Sequence, residues 1–319
     1  MVMARARNCC MHPKRVALIW VLCSFLFFCA FQMILKNSSL NNPTSSSSSS
    51  SSDASMSNTQ KRAHLYEKMA GNLEEHGPAF LKHGETSQSL SLSDLFSVKD
   101  GVVTPNPKAA NPPVRANVLY LSTEYSVPIA KAVKMVFSPY FDKAIWFQNS
   151  SLYHFSMFHA SHHIAPVSAT RDEVEAEANA VKSVAESLCP LKIILDRVVL
   201  TSTGVLLGCW QVTSGTDPTT VRAKLRAALP RAPEKQLYDD AILHTSFARL
   251  LGPPRIIDRD AGETADNIKL FHKLVAHLNN QISGFQAIVS ELWYVEELDV
   301  LALALDGRMN ARRFQLNCS

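Results

Sequence analysis

Two short runs ninety residues apart carry the same pattern. Tyr153-His154-Phe155-Ser156-Met157 alternates at period two. On a strand, His154 and Ser156 then share one face, and Phe155 and Met157 share the other. Leu243-His244-Thr245-Ser246-Phe247 repeats the arrangement. Each run can anchor in a core through its apolar face and offer an imidazole and a hydroxyl through the other. A chain with two such strands must find a fold that buries both apolar faces and leaves both polar faces usable.

Set side by side, the strands would place two imidazoles across one groove. That suits acid–base chemistry, in which one histidine takes a proton and the other gives one. The serine hydroxyls could donate to anionic oxygens between them. One His-x-Ser among eleven histidines carries little weight; the duplication, in apolar strand-like runs each followed by a helical pattern, carries more.

The pair His154-Phe155-Ser156-Met157 and His244-Thr245-Ser246-Phe247-Ala248-Arg249 resembles the two-histidine (2H) phosphoesterase superfamily. Among its members are RNA ligase/cyclic nucleotide phosphodiesterase-like proteins, here in a plant-like, membrane-anchored form. The resemblance covers roughly residues 115–316. It implies a two-lobed α+β fold, with pseudo-twofold β-sheets flanked by helices. It implies His154 and His244 as catalytic acid and base on a cyclic phosphate or small phosphodiester. Ser156, Ser246 and Arg249 would bind the substrate, with no cofactor and no metal. The first copy departs from the commonest form: both hydroxyl positions are Ser, and His159 replaces a usually apolar residue. On a regular strand Arg249 points away from His244, so it serves the site only if the strand ends or bends there.

Thirty-two basic and 28 acidic side chains give a formal charge of +4. Arg5, Arg7, Lys14 and Arg15 account for all of it, so the rest of the chain is balanced. A binder of long nucleic acid usually shows a basic domain, which disfavours that partner.

Residues 16–35 are almost continuously apolar, long enough to span a bilayer. Four basic residues precede them and Lys36 alone follows closely, which predicts a type II signal anchor with a cytoplasmic tail at 1–15. Cys9 and Cys10 in that tail are candidates for palmitoylation. Residues 36–114, with an unbroken serine tract at Ser45–Ser52 and prolines from Pro105 to Pro113, read as a disordered low-complexity stem. A short helical patch covers Lys61–Asn72. The folded domain is expected over 115–319, facing the lumen of the endoplasmic reticulum or Golgi. Asn149-Ser150-Ser151 is a glycosylation sequon there.

Within the domain the pattern predicts strands at Val118–Ser122, Leu191–Leu200 and Val205–Val212, the last two joined by a turn at 201–204. Helices are expected at Val127–Phe137, Arg171–Leu188, Thr219–Leu229 and Asp266–Gln281. Phe285–Tyr294 and Val300–Leu316 should supply the last strands, around a hairpin turn at Asp306-Gly307. The register expected for the 191–212 hairpin keeps Cys189 and Cys209 too far apart to bond. His159, His162 and His163 cluster, but no Cys or carboxylate joins them at zinc-ligand spacing. Two other functions compete with a phosphoesterase. One is a catalytically silent nucleotide- or partner-binding module of the same fold. The other is a Golgi-type glycosyltransferase, for which Asp258-Arg259-Asp260 would be the metal–nucleotide motif.

Overall fold

The computed structural model describes residues 56–83, 90–99, 102–141, 144–255 and 263–318. Among these no helix is long and apolar enough to cross a membrane; the apolar run 16–35, the serine tract and Asp258-Arg259-Asp260 lie outside them. The elements run α1 (Asn58–His76), α2 (Ala79–His83), α3 (Leu92–Leu95), β1 (Phe96–Lys99), β2 (Val102–Pro105), β3 (Ala109–Tyr120), α4 (Thr123–Phe141), β4 (Ile145–Phe147) and β5 (His154–Ser161). Then come α5 (Arg171–Glu186), β6 (Leu191–Leu200), β7 (Val205–Ser214), α6 (Pro218–Ala228), β8 (His244–Leu250), α7 (Glu263–Ile282), β9 (Gln286–Val289), β10 (Glu291–Asp299), α8 (Ala302–Leu305) and β11 (Met309–Gln315).

The fold is mixed α+β, with two larger antiparallel sheets. One has the order β11-β10-β3-β5, the other β4-β8-β7-β6-β9. Each histidine strand lies at or next to an edge, β5 at the rim of the first sheet and β8 one strand in from the rim of the second. Both sheets bury one face against helices in the main core. Phe155, Phe158 and Phe247 enter that core and are at most 1% exposed. α5 and α6 cover the first sheet, and α4 and α7 pack together over the second.

The opposite faces are covered by two smaller apolar clusters. On the second sheet, Val205, Leu207 and Cys209 lie under Tyr66 of α1. On the first, Ala116, Val118, Trp293 and Val295 lie under Leu303, in the connection that carries α8. Two helices start on capping boxes. Ser57 with Gln60 and Thr170 with Glu173 form capping boxes, satisfying orphan N–H groups at the starts of α1 and α5.

Three expectations need correction. The stem does not run to residue 114: α1, expected as a short patch, covers 19 residues and is bonded into the domain. Tyr66 donates to the Trp210 carbonyl (2.7 Å) and accepts the Leu243 N–H (3.2 Å). Arg62, 1% exposed, bonds Gln211 and Asp217, both at 2.9 Å. The helix is mostly polar by composition, which hid the narrow stripe of buried residues Arg62, Tyr66 and Leu73. Next, Val300–Asp306 is no strand. β10 and β11 do pair as a hairpin, but their connection holds the short helix α8, flanked by Leu301 (φ 58°) and Asp306 (φ 59°). Last, the 191–212 hairpin forms with Cys209 opposite Arg197 rather than Asp196, because Leu200 pairs with Leu206 rather than Val205 across the turn. Cys209 is a buried free thiol, and Cys189 bonds Cys318, with Cα atoms 4.5 Å apart.

Candidate active site

The two histidine strands meet at one cavity of about 720 Å³. His154 and Ser156 from β5 line it, as do His244, Ser246 and Arg249 from β8. Cross-strand register explains the facing. His154, Ser156 and His159 pair with Tyr120, Val118 and Ala116. His244, Ser246 and Arg249 pair with Cys209, Leu207 and Val205. In an antiparallel ladder, paired residues share a face.

Both strands use the same device to bring a third residue in. In β8 the ladder passes from Ser246–Leu207 to Ala248–Leu206, so Phe247 is an extra, bulged residue. The bulge shifts the period by one and turns Arg249 to the side of His244 and Ser246. In β5 the ladder passes from Ser156–Val118 to Phe158–Asn117, so Met157 is bulged and His159 turns in. The two copies therefore match at four places: histidine, serine two residues on, a bulge three on and a cavity-facing residue five on. The sequence shows the first two. His159, read from the sequence as one of a histidine cluster, faces the cavity at the same spacing as Arg249.

The bulges are held in place. Arg222, on α6 and 4% exposed, donates to the carbonyls of Ser156 (2.9 Å), Met157 (3.0 Å) and Asp240 (2.7 Å). It thus satisfies carbonyls at the β5 bulge and ties them to the approach to β8. On β8, the ring of Phe247 lies over Gly208, where a Cβ would stand 2.2 Å from its Cζ. Only glycine leaves room there.

His154 Nδ1 lies 2.7 Å from the Leu152 carbonyl. A carbonyl can only accept, so Nδ1 carries the proton and Nε2 is left for chemistry. Burial pushes the ring's pKa below the usual histidine value, partly offset by that hydrogen bond. His244 packs edge-on against Tyr238, with centroids 5.0 Å apart. Burial, then the charges of Arg222 and His154, push it down to about 3. His159 goes to about 3 for the same first reason, with His162 next. Burial thus favours the neutral form of His154, His159 and His244.

Arg249 supplies the positive charge. Burial lowers its pKa to about 10, so it remains a cation at neutral pH. Its Nη1 is buried without a hydrogen-bond partner. A buried guanidinium nitrogen left bare costs stability unless a ligand completes it.

His162 Nδ1 accepts the Ala165 N–H (3.2 Å), so Nε2 donates to the Lys235 carbonyl (3.1 Å), and both nitrogens are taken. Among the described residues no group of three His, Cys, Asp or Glu could hold a metal. Asn149 sits just before β5. Its side-chain oxygen accepts from the N–H (3.0 Å) and hydroxyl (2.8 Å) of Ser151.

No family model matches the sequence, and no curated protein does. Similar solved structures include TT0787 of Thermus thermophilus, 13% identical, with a TM-score of 0.43 over 64% of this chain and 97% of that one. Escherichia coli LigT complexed with ATP is 13% identical, with a TM-score of 0.35 over 66% and 98%. A phosphoesterase is 16% identical, with a TM-score of 0.37 over 65% and 99%. Likenesses this distant carry no weight in assigning the function, which rests on the chain's own residues.

Proposed function

We propose that the chain is a 2H-type phosphoesterase that cleaves a cyclic phosphate or small phosphodiester with His154 and His244 as its proton-transfer pair. The observation that carries this is the Arg249 guanidinium, whose buried Nη1 has no hydrogen-bond partner, in a cavity shared with two imidazoles and two serine hydroxyls. A phosphoryl group supplies what that guanidinium lacks. Its negative charge also favours the protonated form of a neighbouring histidine, which burial otherwise suppresses.

The roles follow from the two environments. His154 has a carbonyl on Nδ1 that stabilises its imidazolium; His244 has no such support. His154 is therefore the acid and His244 the base. His244 takes a proton from water, whose oxygen attacks phosphorus. The phosphorus bond to the leaving oxygen breaks, and His154 protonates that oxygen. Arg249, Ser156 and Ser246 hold the remaining phosphoryl oxygens, where charge develops. No step calls for a metal or cofactor.

The setting is part of the proposal: a type II anchor at residues 16–35, a cytoplasmic tail and a lumenal domain. Asn149 carries a glycan in it. Its Nδ2 donates to Asp306 Oδ1 at 3.3 Å and keeps one hydrogen for that bond after modification. The domain is to be screened with cyclic and linear nucleotide phosphodiesters in the presence of a chelator. Turnover should fall about 100- to 10,000-fold in His154→Ala and in His244→Ala. The double variant should be little worse than either single one. Turnover by both single variants at the wild-type rate would exclude the site. Binding of phosphate without any turnover would favour the silent module instead.

A further inference from the structure

The same cavity contains a carboxyl that the proposed chemistry does not use. Glu297 lies on β10, opposite Val114 in the ladder with β3. That register puts it on the sheet face that carries His154, Ser156 and His159, two strands away from β5. It lines the cavity yet is only 5% exposed. The Leu303 N–H donates to its Oε1 at 2.9 Å. Among the described residues no cation pairs with it. A buried carboxyl without a cation is costly, and chains seldom keep one where an apolar residue would pack. Burial pushes this one up to about 7, although the Leu303 N–H favours its charged form.

Its surroundings narrow the ligand. The cavity wall around it is apolar: Val114, Ala116, Leu301, Leu303 and Ala304. A sugar or polyol would leave several hydroxyls unpaired against such a wall. A second phosphate would meet a carboxylate. A flat group with apolar faces and an N–H donor on its edge can lie on this wall and give its hydrogen to the carboxylate. Resting on the phosphoesterase reading above, we infer that Glu297 is a specificity residue, and that it accepts a hydrogen bond from the amino group of a nucleobase in the substrate. The substrate is then a nucleoside phosphodiester or cyclic phosphate whose base is amino-bearing, with its phosphoryl group at Arg249 and the histidines.

Glu297→Gln provides a test that spares the fold. The Leu303 N–H still needs an acceptor, so the amide oxygen takes the place of Oε1. The amide NH2 then faces the cavity, where a donor meets a donor. Binding of inorganic phosphate, of adenosine and inosine monophosphates, and of cytidine and uridine monophosphates is measured by calorimetry at pH 8, with the carboxyl ionised. Wild type should favour the amino base over the keto base by about tenfold in at least one pair, the worth of a hydrogen bond to a charged group. Glu297→Gln should abolish or reverse that preference while phosphate binds unchanged. Equal amino-to-keto ratios in wild type and variant, with phosphate bound by both, would overturn the inference and leave the phosphoesterase site standing. Failure of wild type to bind phosphate, or binding indifferent to Arg249→Ala, would instead remove the site reading and this inference with it.

Discussion

At the scale of single residues, the roles proposed for the two imidazoles rest on the Leu152 carbonyl at His154 Nδ1, since burial lowers both rings. kcat/KM reports the free enzyme, so its limbs follow the unliganded cavity. The productive form needs His154 protonated and His244 neutral. His244 is neutral above about 3, and His154 loses its proton below the usual 6.5. The optimum of kcat/KM should therefore lie on the acid side of pH 6.5, and His154→Ala should lose the alkaline limb. An optimum above pH 7.5 would refute the assignment. Stability follows with the opposite sense. His154, His159 and His244 all have folded values below their unfolded value, so the unfolded chain binds more protons in acid. Their contribution is complete above about pH 6.5 and is lost as the pH falls toward 3. Replacing His159 with Phe, apolar and of similar girth, should make the melting temperature less dependent on pH between 6.5 and 3.5. For one group the slope removed is at most about 1.4 kcal/mol per pH unit. Glu297, whose raised value gives the opposite slope between its unfolded and folded values, is common to both proteins and cancels. Parallel melting curves would show that His159 is not held neutral.

At the scale of elements, two bulges make the site, and each depends on a residue outside the motif. Gly208→Ala puts a methyl into the ring of Phe247. The ring must move, and the bulge that aims Arg249 moves with it. The variant should lose about 1–3 kcal/mol of stability and bind phosphate more weakly. Unchanged phosphate affinity would mean that the bulge does not depend on this contact. Arg222→Lys should act on β5 in the same way, because one ammonium cannot serve three carbonyls in the guanidinium's planar fork. These elements also mark how far the sequence could be read. His154, Ser156, His244 and Ser246 were legible because period-two alternation needs only neighbouring residues. The helix expected at Arg171–Leu188, found at Arg171–Glu186, was legible because its apolar stripe is local. Arg249 stood out by its place in the motif, but its facing did not, because a bulge is set by the partner strand. His159 was noted in its cluster, but its facing was hidden for the same reason. Arg222 on a helix, Tyr66 in a polar segment and Glu297 on a late strand reach the site only through tertiary packing, and nothing in their local sequence marks them.

At the scale of the whole molecule, the disulfide and α1 bear on how the domain is held and where it works. Cys189–Cys318 joins residues 129 apart, pinning the end of the chain beside the end of α5. A cross-link closing so long a loop contributes about 2–4 kcal/mol, and Cys318→Ala should lower stability by that much without changing phosphate binding. Such bonds persist in oxidising compartments, which supports the lumenal orientation proposed for residues 37–319. The basic residues ahead of the apolar run 16–35 are the sequence ground for proposing that orientation. Because α1 is bonded to Trp210 and Leu243 and contributes Met69 and Asn72 to the cavity wall, it belongs to the folded domain, and any spacer from the proposed anchor has to end before it. Protease added to sealed microsomes should then trim only the short N-terminal tail. With detergent present, cleavage should fall between residue 36 and α1, releasing a fragment that keeps α1 and still binds phosphate. The fragment should take up a thiol reagent at Cys189 and Cys318 only after reduction. Digestion of the domain in sealed vesicles, or free thiols at those two positions before reduction, would place it on the cytoplasmic side.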